Sequence, residues 1–351
     1  MRDPVRVTDR HRFDTIIDAR TPAEFAIDHV PGAINCPTLT NEQRVIIGTL
    51  YKQVGSFEAK RLGAAMVAEN LAKHLREAFA DKPANWKPLI YCWRGGLRSG
   101  SMTQWLRLVG WDAQQLQGGY KAWRRYVIEM IARVAPSLDL RVVVGATGSA
   151  KTRVLQALVD QGHQAIDLEG LACHKGSVLG TMPGTPQPSQ IRFETLISEF
   201  LETVDVKRPV YVEGESRKIG RLTVPEPLLA CMRASPCIEI NATNEARLAY
   251  LLRDYAYLGE DRTLLADKLA LLKDLHGKAV INQWQDWAMQ GQLAPLFEAL
   301  MISHYDPHYV RSQSKNYVGW EKRQSLPCDS LSPEGIAALA QAVAACKRPA
   351  A

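Results

Sequence analysis

The chain of 351 residues contains no Cys-x-x-Cys pair, and its seven cysteines (36, 92, 173, 231, 237, 328 and 346) are odd in number and widely scattered. That excludes a disulfide framework and a zinc ribbon, and leaves most of them as small apolar side chains in a reducing compartment. Nor does any run approach the ~20 apolar residues of a membrane span. Met1-Arg2-Asp3-Pro4 lacks the apolar stretch of a signal peptide, so the expected location is cytoplasmic, with no membrane partner. Internal repeats are missing as well. Charge asymmetry is slight: 43 Lys+Arg against 37 Asp+Glu, a net +6, permits an anionic partner without specifying nucleic acid. What is present is an apolar fraction of 46% with 23% charged residues. This is the composition of a globular protein long enough for two domains.

Short apolar strands alternate with amphipathic helical stretches. Thr15–Asp18 reads as a buried strand, Pro22–His29 as a helical turn, and Gly63–Phe79 as a helix with Met66, Leu71, Leu75 and Phe79 on one face. A strand ends at Tyr91, and Met102, Trp105, Leu106 and Val109 give the next helix its apolar face. Gly118-Gly119 precedes the amphipathic stretch Tyr120–Val134, and Ala135-Pro136-Ser137 marks a domain boundary, giving domains 1–136 and 137–351. A second β/α series begins at Leu140–Val144, with strands at Gln164–Asp167, Val210–Val212 and Ile238–Ile240. Residues 244–301 read as helical, and Lys347–Ala351 is expected to fray.

Cys92 closes the apolar strand Pro88-Leu89-Ile90-Tyr91 and opens the loop Trp93-Arg94-Gly95-Gly96-Leu97-Arg98-Ser99. Glycines let the backbone curl so that amide N–H groups face the sulfur. The following helix adds the partial positive charge of its N-terminus, and Arg94 and Arg98 add full ones. Such a setting stabilises a thiolate and gathers anions beside it. Trp93 is read as packing against the pocket.

Directly after the strand Leu140–Val144 comes Gly145-Ala146-Thr147-Gly148-Ser149-Ala150-Lys151-Thr152. It matches the G-x-x-x-x-G-K-[ST] phosphate loop except that Ala150 replaces the last glycine. The chemistry is retained: backbone N–H groups at Gly145, Thr147, Gly148, Ser149 and Ala150 cradle a phosphate, Lys151 reaches its oxygens, and the Thr152 hydroxyl can hold Mg²⁺. Alanine is tolerable there with a negative φ. An acidic partner on a neighbouring strand is required, and Glu213 or Glu215 supplies it in a Walker-B-like position. Asp167 and Glu169 compete, and each of these acids could equally be a helix cap or a surface charge. Arg217, Lys218, Arg221 and Arg247 are candidates to clamp a diphosphate.

Two further clusters read as structure. In His304-Tyr305-Asp306-Pro307-His308-Tyr309, Pro307 disrupts the i, i+4 geometry of a metal site and no third ligand lies nearby in sequence, so an ordered turn is expected. Trp284 and Trp287, close to Lys273 and Lys278, are read as part of a core helix rather than a single-strand RNA platform.

The first domain resembles a rhodanese. Asp18-Ala19-Arg20, Glu24-Phe25 and His29-Val30-Pro31-Gly32-Ala33-Ile34-Asn35 match that family's N-terminal signature. Cys92 falls at its persulfide-carrying position, and Gly118-Gly119-Tyr120-Lys121-Ala122-Trp123 matches its closing motif. Common rhodaneses place four residues between cysteine and loop arginine; Cys92 and Arg98 are separated by five, as in rhodanese-fold phosphatases, which suits a larger anion. A rhodanese domain followed by a P-loop NTPase-like parallel α/β domain with a helical C-terminal part resembles the tRNA 2-selenouridine synthases. Asp167–Ala172, His174–Ser177, Glu213–Gly220 and Tyr305-Asp306-Pro307 carry that resemblance over nearly the whole chain.

The resemblance implies a two-stage reaction on the wobble 2-thiouridine of the tRNA anticodon region. Sulfur is first alkylated from geranyl diphosphate. The S-geranyl group is then displaced as selenophosphate delivers selenium. It implies no tightly bound cofactor, these two donors as co-substrates, and Mg²⁺ as an option. Lys151 and its loop would take the diphosphate. Cys92 would carry selenium as a selenenyl sulfide or help expel the thiol, with Arg94 and Arg98 neutralising the phosphate. The competing classes are an ATP-dependent sulfurtransferase or kinase with a persulfide carrier, a phosphatase using Cys92, and a non-catalytic RNA-binding module. Tyr91, where phosphatases often have histidine, counts against the second.

Overall fold

Apolar runs of four or five residues, too short for helices and buried along their length, place the parallel strands at the centre of each half of the chain. The computed structural model describes residues 4–177, 179–182 and 184–347. Met1–Asp3, where the signal-peptide reading begins, and Arg348–Ala351, where fraying is expected, lie outside the described residues. The chain divides into two compact units: Met1–Met130 with Ser189–Glu199, and Ile131–Pro188 with Phe200–Ala351. The division falls six residues before the boundary expected after Pro136, and it returns a later stretch, residues 189–199, to the first unit.

In the first unit β1 (Thr15–Asp18), β2 (Ala33–Asn35), β3 (Pro88–Tyr91) and β4 (Gln114–Gln115) form one sheet in the order β2-β1-β3-β4, every pair parallel. Ile17, Ile90, Cys92, Met102 and Leu106 pack in its core with Phe79 and Trp86. The helix expected at Gly63–Phe79 runs from Ser56 to Arg76. Below the Cys92 loop, Asp18 and Arg20, both buried, form an ion pair at 2.6 Å. Tyr91 donates to the same Asp18 carboxylate at 2.8 Å and accepts from the Val30 N–H at 3.1 Å. These bonds fix the carboxyl ends of β1 and β3, and with them the start of the loop.

The second unit holds β5 (Leu140–Val144), β6 (Gln164–Ile166), β7 (Val210–Glu213), the two-stranded ribbon β8 (Lys218–Ile219) and β9 (Leu222–Thr223), β10 (Pro236–Ala242) and β11 (Gly319–Cys328). Its main sheet runs β11-β10-β5-β7-β6 and is parallel throughout. β5 lies at the centre with β7 beside it, so the loop after β5 and the acids after β7 emerge side by side at the carboxyl ends of the strands. Open α/β sheets bind ligands in that position. β11 has no counterpart in the sequence reading, because its pattern is interrupted by Glu321, Lys322 and Arg323. Residues 244–301 are helical in the main, as expected. They enclose a second core in which Trp284 is buried with Ile281, Leu296 and Phe297. Among the described residues no helix is long and apolar enough to cross a membrane.

Candidate active sites

The first site is built around Cys92, which is buried and, like the other six cysteines, unbridged. The amide of Gly96 donates to its sulfur at 3.2 Å, and the Ser99 hydroxyl donates at 3.0 Å. Ser99 is fully buried and is itself held by the Gln115 carboxamide at 2.7 Å, which also reaches Gly96 O at 3.1 Å. The helix Leu97–Val109 begins at this point, so its N-terminal dipole points at the sulfur as expected. Gly119 is required: it has φ +57°, and a Cβ there would fall 2.2 Å from Cys92 O and 2.5 Å from Gly95 N. The Gly118-Gly119 motif therefore closes against the loop backbone, pinned by Tyr120 N–H to Cys92 O at 2.8 Å and Lys121 N–H to Trp93 O at 3.0 Å.

Arg98 turns to Glu24, with contacts at 2.7 and 3.3 Å, because a carboxylate in the rhodanese-like signature offers it a forked partner. The same pairing holds the Glu24 carboxyl below its ordinary range, against the upward push of burial. Arg94 is exposed at the loop surface. Trp93, expected to pack, is 43% exposed and leans on Tyr120 with ring centroids 5.4 Å apart. Neither Ser99 nor Gln115 was singled out as a site residue. Ser99 follows Arg98 in the motif; Gln115 carries no sequence signal.

The second site opens from the phosphate loop. Lys151 begins the helix Lys151–Asp160 and donates to Gly145 O at 2.8 Å. Ala150 takes φ +57°, ψ +27°, contrary to the negative φ that would suit alanine, so the loop keeps its curl against a steric cost of about 1–2 kcal/mol. The loop is braced from a distant helix. Gly145 N–H donates to the Tyr309 hydroxyl at 2.5 Å, and Arg247 donates to Thr147 O at 2.8 Å while forking onto Asp306 at 2.5 and 2.9 Å. Arg247 is buried and committed to that brace, which removes it as a diphosphate clamp. Arg221 is bonded to Gln187 O, while Arg217 and Lys218 are exposed at the adjoining ribbon.

The acidic candidates separate by role. Asp167 caps the helix Leu168–Ala172 through Gly170 N–H at 2.7 Å. Glu213 is fully buried and accepts from Glu169 N–H at 2.7 Å. Glu169 accepts from the Thr152 hydroxyl at 2.7 Å and is hydrogen-bonded to Glu215. The two carboxylates meet under Gly176, where a Cβ would lie 2.9 Å from an oxygen of each. Burial and the neighbouring acids push Glu213 well above the ordinary carboxylate range. Burial raises Glu169 too, against the opposing pull of Lys151. Glu215 is pushed up to about 8 by burial and by the charge of Glu169.

Lys151, Thr152, Asp167, Glu169 and Glu215 line a cleft of about 730 Å³ walled by five tyrosines, Tyr250, Tyr255, Tyr257, Tyr305 and Tyr309. Two buried polar atoms on its lining, Ser149 Oγ and Gln313 Oε1, have no hydrogen-bond partner among the described residues, so each is open to bonding by a ligand or a water. The segment expected to form a turn at 304–309 is instead a π-helical turn, Met301–Tyr305, running into the helix Asp306–Asn316. Pro307 follows the π-helical turn, where Asp306 N–H bonds Met301 O and the widened ring accommodates a residue without a backbone N–H. A third histidine does approach: His276 Nε2 lies 3.0 Å from His304 Nδ1. Even so, among the described residues no group of three His, Cys, Asp or Glu is arranged to hold a metal ion.

Both halves of the chain match known families. Residues 6–126 match the rhodanese-like domain, and residues 138–268 match the tRNA 2-selenouridine synthase AAA domain. A tRNA 2-selenouridine synthase of Nitrosomonas europaea is 38% identical over 68% of this chain and 63% of its own length. That of Marinobacter nauticus is 34% identical over 84% of this chain and 87% of its own. For the enzyme of Alcanivorax borkumensis the figures are 40%, 74% and 74%. With both domains matched in order and similarity that spans most of the Marinobacter and Alcanivorax proteins, the chain belongs to the tRNA 2-selenouridine synthase family.

Proposed function

We propose that this protein converts the wobble 2-thiouridine of tRNA to 2-selenouridine, with the phosphate-loop cleft installing a geranyl leaving group and the Cys92 loop serving selenium delivery. The observation that carries the reading is the cleft itself, in which a phosphate loop with its lysine opens onto a wall of five tyrosines. Lys151 and the loop amides suit a diphosphate, and aromatic faces suit an allylic chain and the positive charge that develops at its reacting carbon. The thiocarbonyl sulfur attacks that carbon. The carbon–oxygen bond breaks with its electron pair leaving on diphosphate, and N3 gives up its proton. A magnesium ion arriving with the diphosphate would meet the Thr152 hydroxyl and the Glu169 carboxylate, oxygen donors of the kind it takes.

In the second stage selenium adds at C2, the carbon–sulfur bond breaks, and geranylthiol departs while water takes the phosphoryl group. Selenophosphate and a thiolate are both fully reduced, so joining them as a selenenyl sulfide on Cys92 would require an oxidant that neither supplies. The Cys92 loop is therefore assigned to binding the anion and assisting departure of the thiol, with Gly96 N–H and Ser99 as its donors. Nucleoside mass spectrometry of tRNA from cells carrying wild type, Cys92→Ser or Lys151→Ala tests this. Cys92→Ser is expected to lose 2-selenouridine and accumulate the S-geranyl nucleoside; Lys151→Ala is expected to lose both. Normal 2-selenouridine from Cys92→Ser overturns the assignment.

A further inference from the structure

Directly after Cys92 the loop presents an aromatic ring and a positive charge to solvent. Trp93 is 43% exposed, with Arg94 and Leu97 exposed in the same loop. The Gly118-Gly119 turn lies against this stretch: a Cβ at Gly119 would fall 3.1 Å from Arg94 C and 2.5 Å from Gly95 N. The helix Gly119–Val134 therefore starts at the mouth of the loop, where Lys121 N–H bonds Trp93 O at 3.0 Å. Lys121 and Arg125 stand at i, i+4 on one face of that helix, and both are exposed. Their neighbours Arg98 and Arg124 are paired with Glu24 and Glu194. Arg94, Lys121 and Arg125 make no ion pair among the described residues.

We propose that this rim seats the anticodon loop, with a loop base stacked on Trp93 and Arg94, Lys121 and Arg125 set against the phosphates. This rests on the tRNA reading above and deepens it by naming the surface. An exposed indole beside unpaired cations suits a single strand, whose bases stack on the ring while its phosphates meet the charges. Loop bases are free of a duplex and can be splayed onto such a platform. Because Trp93 adjoins Cys92 in the chain, a strand held on Trp93 is held at the mouth of the Cys92 loop. A second copy of this chain is the poorer occupant, since its own net charge of +6 repels an uncompensated basic rim.

The test is binding of a 2-thiouridine anticodon stem-loop to the full chain, with neither donor present, by fluorescence anisotropy from about 50 to 200 mM salt. The same stem-loop is then given both donors and its nucleosides are read by mass spectrometry. Trp93→Ala is expected to weaken binding about tenfold at every salt concentration, and Trp93→Phe to recover most of it, because stacking needs only a ring face. Arg94→Gln, Lys121→Gln and Arg125→Gln should each lower the slope of log Kd against log salt by about 0.7. Lys87→Gln, exposed at the opposite end of β3 from Cys92, should leave the slope unchanged. Arg125→Gln, on open helix surface, decides the matter where Trp93→Ala disturbs the loop. Full affinity and unchanged slopes in all the rim variants, with wild type binding, overturn the rim's role alone. An equal slope change in Lys87→Gln does the same, as does a dimer of the chain that Trp93→Ala dissolves without loss of RNA affinity. Weakened binding in the rim variants of a wild type that converts no 2-thiouridine supports the rim and overturns the two-stage reading. A wild type that does not bind the stem-loop overturns the tRNA reading and the rim together.

Discussion

The Ser99 hydroxyl donates to Cys92 Sγ at 3.0 Å and is locked there by Gln115 at 2.7 Å. The sulfur's second donor, Gly96 N–H, cannot be removed by a side-chain change, so Ser99 is the adjustable part of the cradle. A hydrogen bond of this kind contributes roughly 0.5–1.5 kcal/mol. Ser99→Ala, which removes one of the two donors to the sulfur, is accordingly expected to slow alkylation of Cys92 by iodoacetamide severalfold. Ser99→Thr should restore most of the rate. A rate unchanged in Ser99→Ala would show that the hydroxyl does nothing for the sulfur.

Ala150 sits at φ +57°, a conformation glycine adopts freely. Ala150→Gly relieves about 1–2 kcal/mol of steric cost and gives back part of it through the greater freedom of the unfolded chain. The net expectation is a gain of about 0.5–1 kcal/mol, seen as a rise of a few degrees in the melting temperature of the second unit's transition. A fall would mean that the loop relaxes around alanine.

Asp306 touches no phosphate position, yet it holds Arg247, which holds Thr147 O. Asp306→Asn removes the charge of the fork and leaves Arg247 buried with a weaker partner. Diphosphate affinity, followed by titration calorimetry, should fall about tenfold, and Arg247→Lys should fall comparably because lysine cannot fork. Retention of full affinity in both would show that the loop holds its shape unaided.

Glu215 is raised to about 8 in the folded protein, above its value of about 4.5 when unfolded. Between these values the native state holds a proton that the unfolded state has released. Stability is thus expected to fall as pH climbs from about 5 to 8, the reverse of the behaviour of a salt-bridged acid. Thermal melts across that range should show the loss in wild type and a flatter profile in Glu215→Gln. Equal slopes would locate the titration elsewhere, with Glu169 and Glu213 the next groups to test.

Much of the frame was legible because its signals are local. A buried strand of four or five apolar residues followed by a glycine-rich turn and an amphipathic helix reads the same way in any context. That pattern located Cys92, the phosphate loop and their strands. Glu213 and Glu215 were legible as a pair, since both follow the same strand, but not which would be sealed in the core and which would face the cleft. The partners of Arg98 and Arg247 were not legible, because Glu24 and Asp306 lie 74 and 59 residues away in the chain. Gln115, Gln313 and β11 left no trace, because an isolated amide or a strand interrupted by charges has no period to detect.

By itself, the sequence determined the order of the two domains, the curled anion loops at Cys92 and Lys151, and the family to which the chain belongs. Each depends on residues adjacent along the backbone, where glycine, apolar runs and helix starts act within a few positions. Tertiary structure alone decided which donors reach the Cys92 sulfur, which arginines are spent on carboxylates, and that five tyrosines wall the cleft at the phosphate loop. Those outcomes depend on sheet order and helix packing, which bring together side chains tens to more than a hundred residues apart and decide how much water each one keeps.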